Sequence, residues 1–322
     1  MKNDTTELRA SGETTAPVWN PELLKGIHYA QEQLLLEVDR ICKKHNITYF
    51  LWAGTLLGAV RHGDFIPWDD DVDVAMKRDD FETFLRVAPK ELLPAFQLVM
   101  PGEDDRFFDM IPKVNYVASK LRQNDPDDEF YRGKHNKVSL DVFCLDAPMS
   151  GLRFKTQILA LKRHYGHAMG HRRTLDFSKY PVWQRPFIRM FAKAGRRLSM
   201  AGILEAQRAE SVKASARKAA SPGSAPDKTS RKARCESPYY CVFNERIFFI
   251  YPRFKREWFD RTEEYSIRGH KFTSMCSADD YLRFVYGDYM TLPPEKDRVP
   301  SHAAYLPEVE VYDLEGNLLR EV

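Results

Sequence analysis

The sequence predicts an α+β fold in which a mixed sheet carries flanking helices, a helical basic insertion and a smaller C-terminal α/β portion. Three observations predict it. Apolar residues recur at helical spacing from Leu24 to Cys42. Polar and apolar residues alternate through Asp71-Val-Asp-Val-Ala-Met76, the pattern of a half-buried strand. Strand-like runs then dominate 96–143, and helical periodicity takes over across 152–205.

Residues 1–19 are polar and read as a disordered tail. Asn20, followed by Pro21, starts the first helix, and Leu24, Ile27, Leu34, Leu35, Val38, Ile41 and Cys42 form its buried stripe. Asn46 ends it. Ile47 to Trp52 is a short buried strand, and Gly54 to His62 a short helix stopped by Gly63. In the strand 71–76, Asp71 and Asp73 share one face while Val72 and Val74 share the other. Asp79 or Asp80 caps a helix carrying Phe81, Phe84, Leu85 and Ala88, and strands follow at 96–100, 107–114, 116–121 and 138–143. The piece from Pro181 to Leu198 is amphipathic. Phe187, Phe191, Ala194 and Leu198 lie on one stripe, and Arg185, Arg189, Lys193 and Arg196 on another. Residues 211–234 are basic, low in complexity and read as a mobile loop. Tyr239 to Ile250 is strand-like, Ser266 to Ser274 a hairpin turning at Gly269, and Ser277 to Tyr286 a helix ended by Gly287.

The chain of 322 residues carries 49 Lys/Arg and 46 Asp/Glu, so its net charge of +3 does not by itself suggest a nucleic-acid partner. The charge is unevenly placed. Residues 151–234 hold 20 Lys/Arg but 4 Asp/Glu, which leaves the rest of the chain acidic. Three readings of this block stand side by side: a solvated helix with a mobile loop, an interfacial helix on an anionic membrane, and a dock for an anionic polymer. The longest apolar stretch, Tyr49 to Val60, covers 12 residues, short of the roughly 20 that span a bilayer. The N-terminus lacks a signal-peptide core. Five cysteines (Cys42, Cys144, Cys235, Cys241 and Cys276) at scattered spacings predict neither a disulfide framework nor a zinc knuckle, and fit a reducing cytoplasm.

Asp69, Asp70, Asp71 and Asp73 fall within five residues. Carboxylates this close repel unless a cation or proton intervenes. Two aspartates at i and i+2 on a strand project side by side, a geometry that chelates Mg²⁺. A solvated acidic turn is the alternative, and the alternation with valines beside Phe65 and Trp68 argues against it. Asp141, between Leu140 and Val142, is the candidate third carboxylate, or else a strand-end Asp bonded to backbone amides. Upstream, Gly54-Thr55 stands at a strand-to-helix transition, where glycine, free N–H groups and a hydroxyl suit a phosphate.

The stretch Gly54-Thr-Leu-Leu-Gly-Ala-Val-Arg-His-Gly-Asp-Phe-Ile-Pro-Trp-Asp-Asp-Asp-Val-Asp-Val74 resembles the hallmark of the LicD family, within the nucleotidyltransferase superfamily associated with DNA polymerase beta. Ile111-Pro-Lys-Val-Asn115, Leu140-Asp-Val-Phe-Cys-Leu-Asp146 and Tyr286-Gly-Asp-Tyr-Met-Thr-Leu-Pro-Pro-Glu-Lys-Asp-Arg298 with His302 resemble its later motifs. The resemblance implies a nucleotidyltransferase-like catalytic core over 20–150, followed by the basic segment 151–235 and a portion 236–322 that completes the same domain. It implies Mg²⁺, or Mn²⁺ in its place, held by Asp71, Asp73 and Asp141 on a CDP-alcohol donor such as CDP-choline or CDP-ribitol. Asp141 or Asp69 would act as general base, and Asp69 otherwise as a further ligand or orienter. Gly54, Thr55, Arg61, Lys113, Arg298 and His302 would bind the donor. For Arg61 and Lys113 an ordinary salt bridge is the alternative, for His302 a capping role, and for Tyr286-Gly287-Asp288 a helix cap. Trp52 and Trp68 are core residues, or else one of them stacks on the cytosine or choline.

The expected reaction is Mg²⁺-dependent transfer of phosphocholine, or a related phospho-alcohol, to a hydroxyl of a glycan or lipid-linked glycan precursor (lipopolysaccharide, teichoic acid or capsule). The expected setting is the cytoplasm, with peripheral contact at the inner face of the membrane through 181–234. Two alternatives differ in class: a nucleotidyltransferase moving NMP from an NTP, and a non-enzymatic member with a structural cation site.

Overall fold

The computed structural model describes residues 22–103, 110–121, 129–214, 237–243, 252–300 and 308–319. Its first helix, α1 (Glu22–His45), buries Leu24, Ile27, Leu34, Leu35, Val38, Ile41 and Cys42, the whole expected stripe. Asn46 ends it with φ of 54°. Strand β1 (Tyr49–Leu51) leads through Ala53, itself left-handed at φ 44°, into α2 (Ala53–His62). Gly63 closes α2 in the αL conformation, its N–H donating to Ala59 O.

Strand β2 (Val72–Lys77) starts one residue later than expected, so Asp71 lies just outside it. Helix α3 (Arg78–Glu91) follows with Lys77 at its N-cap. Asp79 and Asp80 sit in its first turn instead of capping it, where their charges still complement the helix dipole. Strands β3 (Phe96–Val99), β4 (Lys113–Tyr116), β5 (Ser119–Lys120) and β6 (Ser139–Asp146) come next. The expected pair 107–114 and 116–121 is thus replaced by shorter strands shifted along the chain, with 104–109 outside the described residues.

The helical expectation for 152–205 resolves into α4 (Gly151–Ala168), α5 (Arg185–Gly195) and α6 (Met200–Ser211). Helix α5 is shorter than the amphipathic piece 181–198 because Pro186 sits at its start and the chain breaks before Ser199, which caps α6. Strands β7 (Tyr239–Val242) and β8 (Phe254–Lys255) are followed by a hairpin of β9 (Thr262–Ile267) and β10 (His270–Met275). Its two turn residues, Arg268 and Gly269, have φ of 53° and 85°, the two positive angles of a type I′ turn. Helix α7 (Ala278–Tyr286) and strand β11 (Glu310–Val311) complete the described elements. The expected tail 1–19, the helix start at Asn20, most of the expected loop 211–234, and residues 244–250 of the expected strand lie outside the described residues.

The main sheet runs β1-β2-β6-β4-β3, with β7 and β8 extending from the end of β6. The β2–β6 pair is parallel and the other pairings are antiparallel. One hydrophobic core joins α1, both faces of this sheet, the β9–β10 hairpin and α7. The hairpin is tied to β1 through polar groups: Thr273 N donates to Tyr49 Oη at 3.1 Å, and Ser274 Oγ donates to Leu51 O at 3.2 Å. Helices α4 to α6 pack around smaller clusters of their own, such as Met110, Ala168, Met200 and Ile203. No helix among the described residues is long and apolar enough to cross a membrane.

At the C-terminal ends of β2 and β6, Arg78 grips the buried Asp146 with two bonds of 2.9 and 2.5 Å. Removing the guanidinium would leave a carboxylate buried without its counter-ion. Arg78→Leu is therefore expected to lower unfolding free energy by about 3–5 kcal/mol in urea titrations. A loss below about 1 kcal/mol would show that the pair contributes little.

Candidate active site

The site is built where β2 and β6 run side by side. Their parallel register sets Asp73 opposite Asp141, and the antiparallel β4 sets Lys113 opposite Asp141 on the other side. Adjacent strands lie about 4.8 Å apart, so Asp73 and Asp141, on one face of the sheet, are immediate neighbours. Lys113 Nζ donates to Asp141 Oδ1 at 2.8 Å and Oδ2 at 3.0 Å. Burial holds the Asp73 carboxyl well above the usual range. The charges of Asp141, Asp71 and Asp69 push it further, and Lys113 opposes them.

Asp69, Asp70 and Asp71 offer carboxylate oxygens within 4.8 Å of one another. Asp69 is pushed up to about 7, first by burial and then by Asp71 and Asp70. Asp71 is exposed at the rim. Five carboxylates, Asp69, Asp70, Asp71, Asp73 and Asp141, thus act on one another at one end of the sheet, and a divalent cation would relieve both the repulsion and the protonation. The all-oxygen donor set fits a hard cation.

The backbone around the cluster is positioned by α2. Trp52 N donates to Asp73 O at 3.1 Å, and Asp73 N donates to Thr55 Oγ1 at 2.8 Å. The buried Thr55 thus fixes the Asp-x-Asp strand through its oxygen. A Cβ on Gly54 would collide with Asp69 Oδ2, so the bare glycine makes the seat of that carboxylate. One turn on, a Cβ on Gly58 would come 2.7 Å from Asp64 O, which lets the 64–71 loop lie directly on the helix. From α1, His28 Nε2 meets Asp69 O at 2.9 Å while its ring stacks on Phe65. Burial holds His28 below its usual pKa, consistent with a neutral donor to that carbonyl.

Two cations gather on Trp68, the residue before Asp69. Arg61 and Arg298 both lie over the Trp68 ring, at 5.9 and 5.7 Å from its centroid. Arg61 Nη1 donates to Tyr289 O, and Arg298 Nε to Pro293 O. Neither is in an ion pair among the described residues. Burial and Arg298 lower the Arg61 pKa while Tyr286 opposes them. The Tyr286 hydroxyl is pushed above its usual value by burial, then by Asp69 and Asp73, although 42% of the residue is exposed.

The structure thus brings Asp69, Asp71, Asp73 and Asp141 together, with Gly54 and Thr55 beneath them and Arg61 and Arg298 over the adjoining Trp68. Lys113 belongs to the carboxylates. Trp52 is core, packed among Phe254, Phe259 and Tyr281, whereas Trp68 is half-buried between the arginines. His302 lies outside the described residues. Sequence reasoning gave Tyr286 a helix-capping alternative and missed His28 altogether. The first could have been found from its place in the C-terminal motif; the second left no signal beyond a polar residue beside a buried stripe.

Comparison with known proteins finds relatives for this part of the chain. Residues 46–144 match the family described as LicD/FKTN/FKRP, nucleotidyltransferase domain. The chain is 26% identical over 271 residues to the lipopolysaccharide cholinephosphotransferase LicD of Haemophilus influenzae, covering 81% of this chain and 89% of that protein. It is 56% identical over 34 residues to the human ribitol 5-phosphate transferase FKRP, covering 11% and 7% of the two chains. An uncharacterized Rickettsia typhi protein, RT0683, is 41% identical over 58 residues, 18% of this chain and 19% of that one.

The Asp69 carboxyl generates a pH prediction. Unfolded, it titrates near 3.8; folded, near 7. Between those values the folded chain holds a proton that the unfolded chain has released, so stability falls as pH rises from about 4 to about 7. Asp73 contributes a slope of the same sign. With chelator present, Asp69→Asn is expected to shrink the difference between urea midpoints at pH 5 and pH 8, and an unchanged difference would contradict the assignment.

The in-register carboxylates and the glycine-seated Asp69 lie within residues 46–144, the part of the chain that is similar to the LicD/FKTN/FKRP nucleotidyltransferase domain, and most of the chain is similar to a LicD-type phosphotransferase.

Proposed function

We propose that the chain transfers phosphocholine, or a related phospho-alcohol, from a CDP-linked donor to a hydroxyl of a cell-surface glycan precursor. The observation that carries this reading is the convergence of Asp69, Asp71, Asp73 and Asp141 on one end of the β2–β6 pair, next to Trp68 and its two arginines, which have no carboxylate partner among the described residues. Similarity to the Haemophilus cholinephosphotransferase over 89% of that protein supports phosphocholine. The shorter match to a ribitol 5-phosphate transferase supports a polyol phosphate as the alternative cargo.

In this reading Asp71, Asp73 and Asp141 would hold Mg²⁺, or Mn²⁺, which would supply positive charge against the donor diphosphate. Lys113 is the internal cation that balances Asp141 in its absence. Arg61 and Arg298 pair with donor phosphate oxygens, and the Trp68 face between them offers a stacking surface. Asp69, seated against Gly54 beside the ligands, takes the proton of the acceptor hydroxyl, a role that Asp141 could also fill. Gly54 and Thr55 keep that carboxyl and the Asp73 backbone in place, and the free N–H groups of the first turn of α2 are available to a phosphate. The acceptor is a lipopolysaccharide, teichoic acid or capsule precursor reached from the cytoplasmic side.

Nucleotide release from CDP-choline, CDP-ribitol, CDP-glycerol and the four NTPs, each with Mg²⁺, tests the reading. CMP is expected from one CDP donor, and Asp71→Asn/Asp73→Asn is expected to reduce it about a thousandfold or more. Pyrophosphate from an NTP alone would reassign the chain as a nucleotidyltransferase. Arg61→Ala and Arg298→Ala are each expected to raise the donor KM about 10- to 100-fold with a smaller change in kcat. An unchanged KM in both would remove the two arginines from the donor site.

A further inference from the structure

The outer face of α5 and its flanking turns carries an apolar stripe that the described residues leave largely uncovered. Val182, Trp183, Phe187, Met190 and Leu198 are 73, 70, 57, 55 and 45% exposed. Trp183, Phe187, Met190 and Ala194 follow i, i+4, i+7, i+11 spacing, one line along the helix. The helix already has its packing face elsewhere: Gln184, Ile188, Ala192 and Gly195 are buried, and Ile188 meets Met169 and Tyr165 of the helical unit. Phe191, which the sequence pattern places on the exposed stripe, is turned toward His167. Contiguous apolar surface of this kind on a protein mostly marks an interaction site.

The charge around it has one sign. No Asp or Glu occurs from Phe177 to Leu204. Arg185, Arg189, Lys193, Arg196 and Arg197 stand outside the ion pairs of the described residues. Arg185 and Arg196 bond to backbone carbonyls and Arg189 lies over Phe177, so none of these charges is cancelled. Lys193 and Arg197 are exposed along one border of the stripe.

We propose that this face docks on an anionic lipid bilayer, with Trp183, Phe187, Met190 and Leu198 entering the interfacial layer and Lys193 and Arg197 meeting lipid phosphates. A soluble polyanion would satisfy the cations and leave the aromatic stripe in water. A neutral protein surface would cover the stripe and leave the cations without partners. A bilayer with anionic headgroups over hydrocarbon satisfies both at once. Trp183 suits that boundary, with an apolar ring and one N–H donor. The proposal stands on the helical unit alone and holds whatever chemistry the carboxylates perform.

The test is co-sedimentation of the full chain with vesicles of phosphatidylcholine, alone or mixed with phosphatidylglycerol. Binding is expected to the mixed vesicles, weakening as salt rises. Trp183→Ser/Phe187→Ser and Lys193→Glu/Arg197→Glu are each expected to lower it about tenfold or more, with thermal unfolding unchanged because all four residues are exposed. Equal binding by both variants, or no binding to anionic vesicles, would overturn the proposal. So would retention on a soluble polyphosphate that Trp183→Ser/Phe187→Ser leaves intact, without vesicle binding. A concentration-dependent dimer abolished by that same variant, again without vesicle binding, would assign the face to a second copy of the chain.

Discussion

The rest of the structure depends on repulsion between carboxylates forced together in a partly dehydrated place. Parallel pairing of β2 with β6 leaves no freedom in this: once the register is set, Asp73 and Asp141 are neighbours. Charges at such separation cannot all ionise without a counter-ion, and their titration is shared. The surrounding residues are arranged about that fact. Lys113, delivered by the next strand, balances Asp141. Asp69 carries its proton to near neutrality. A divalent cation in place of those protons would lower the tension.

Such a cluster is useful only if its backbone cannot drift apart, and the loop 63–71 that carries half of it has no ladder of its own. Its position is imposed from outside. His28 holds Asp69 O from α1, and Arg268 N at the hairpin tip donates to Gly63 O at 3.1 Å. The Arg268 side chain reaches Glu32 on α1 at 3.0 Å, closing a circuit between helix, hairpin and loop. Tyr49 Oη joins the same frame, donating to Asp39 of α1 at 2.9 Å while accepting from Thr273 of β10. The C-terminal hairpin, remote in sequence, thus determines where an N-terminal motif sits. Elements fixed by packing and by hydrogen bonds from several directions give the positional accuracy that phosphoryl chemistry requires.

This division explains what could be read from the sequence. The stripe of α1, the stop at Gly63 and the turn at Arg268-Gly269 are local, each set by periodicity or by a positive φ, and they were legible. So was the place of Asp73 between the buried Val72 and Val74, because alternation assigns faces within one strand, whereas Asp71 falls one residue before it. The partnership of Asp73 with Asp141 was legible only as a candidate, since register between distant strands is a tertiary property. The meeting of Arg61, Trp68 and Arg298 was legible as a set of motif residues and not as a shared surface. The contact that brings Arg298 onto Trp68 crosses more than 200 residues of chain. Strands 107–114 and 116–121 were misplaced because short apolar runs carry little information about where a ladder begins; pairing with β6 and β11 decides that.

The uneven charge of the chain now has a physical sense. In the sheet domain, buried or half-buried cations find carboxylates: Arg78 with Asp146, Lys113 with Asp141. In the helical unit, from Phe177 to Leu204, there is no acidic residue to find. The cation that acts on Asp73 is Lys113 from the neighbouring strand, so the basic helices do not neutralise the acidic centre. Packing of α4 to α6 around their own small clusters, apart from the main core, lets the two charge systems coexist without cancelling. A chain that keeps a strongly basic surface uncompensated bears a cost in self-repulsion. An anionic surface of the kind proposed for the α5 face would recover that cost, apart from the carboxylates of the sheet.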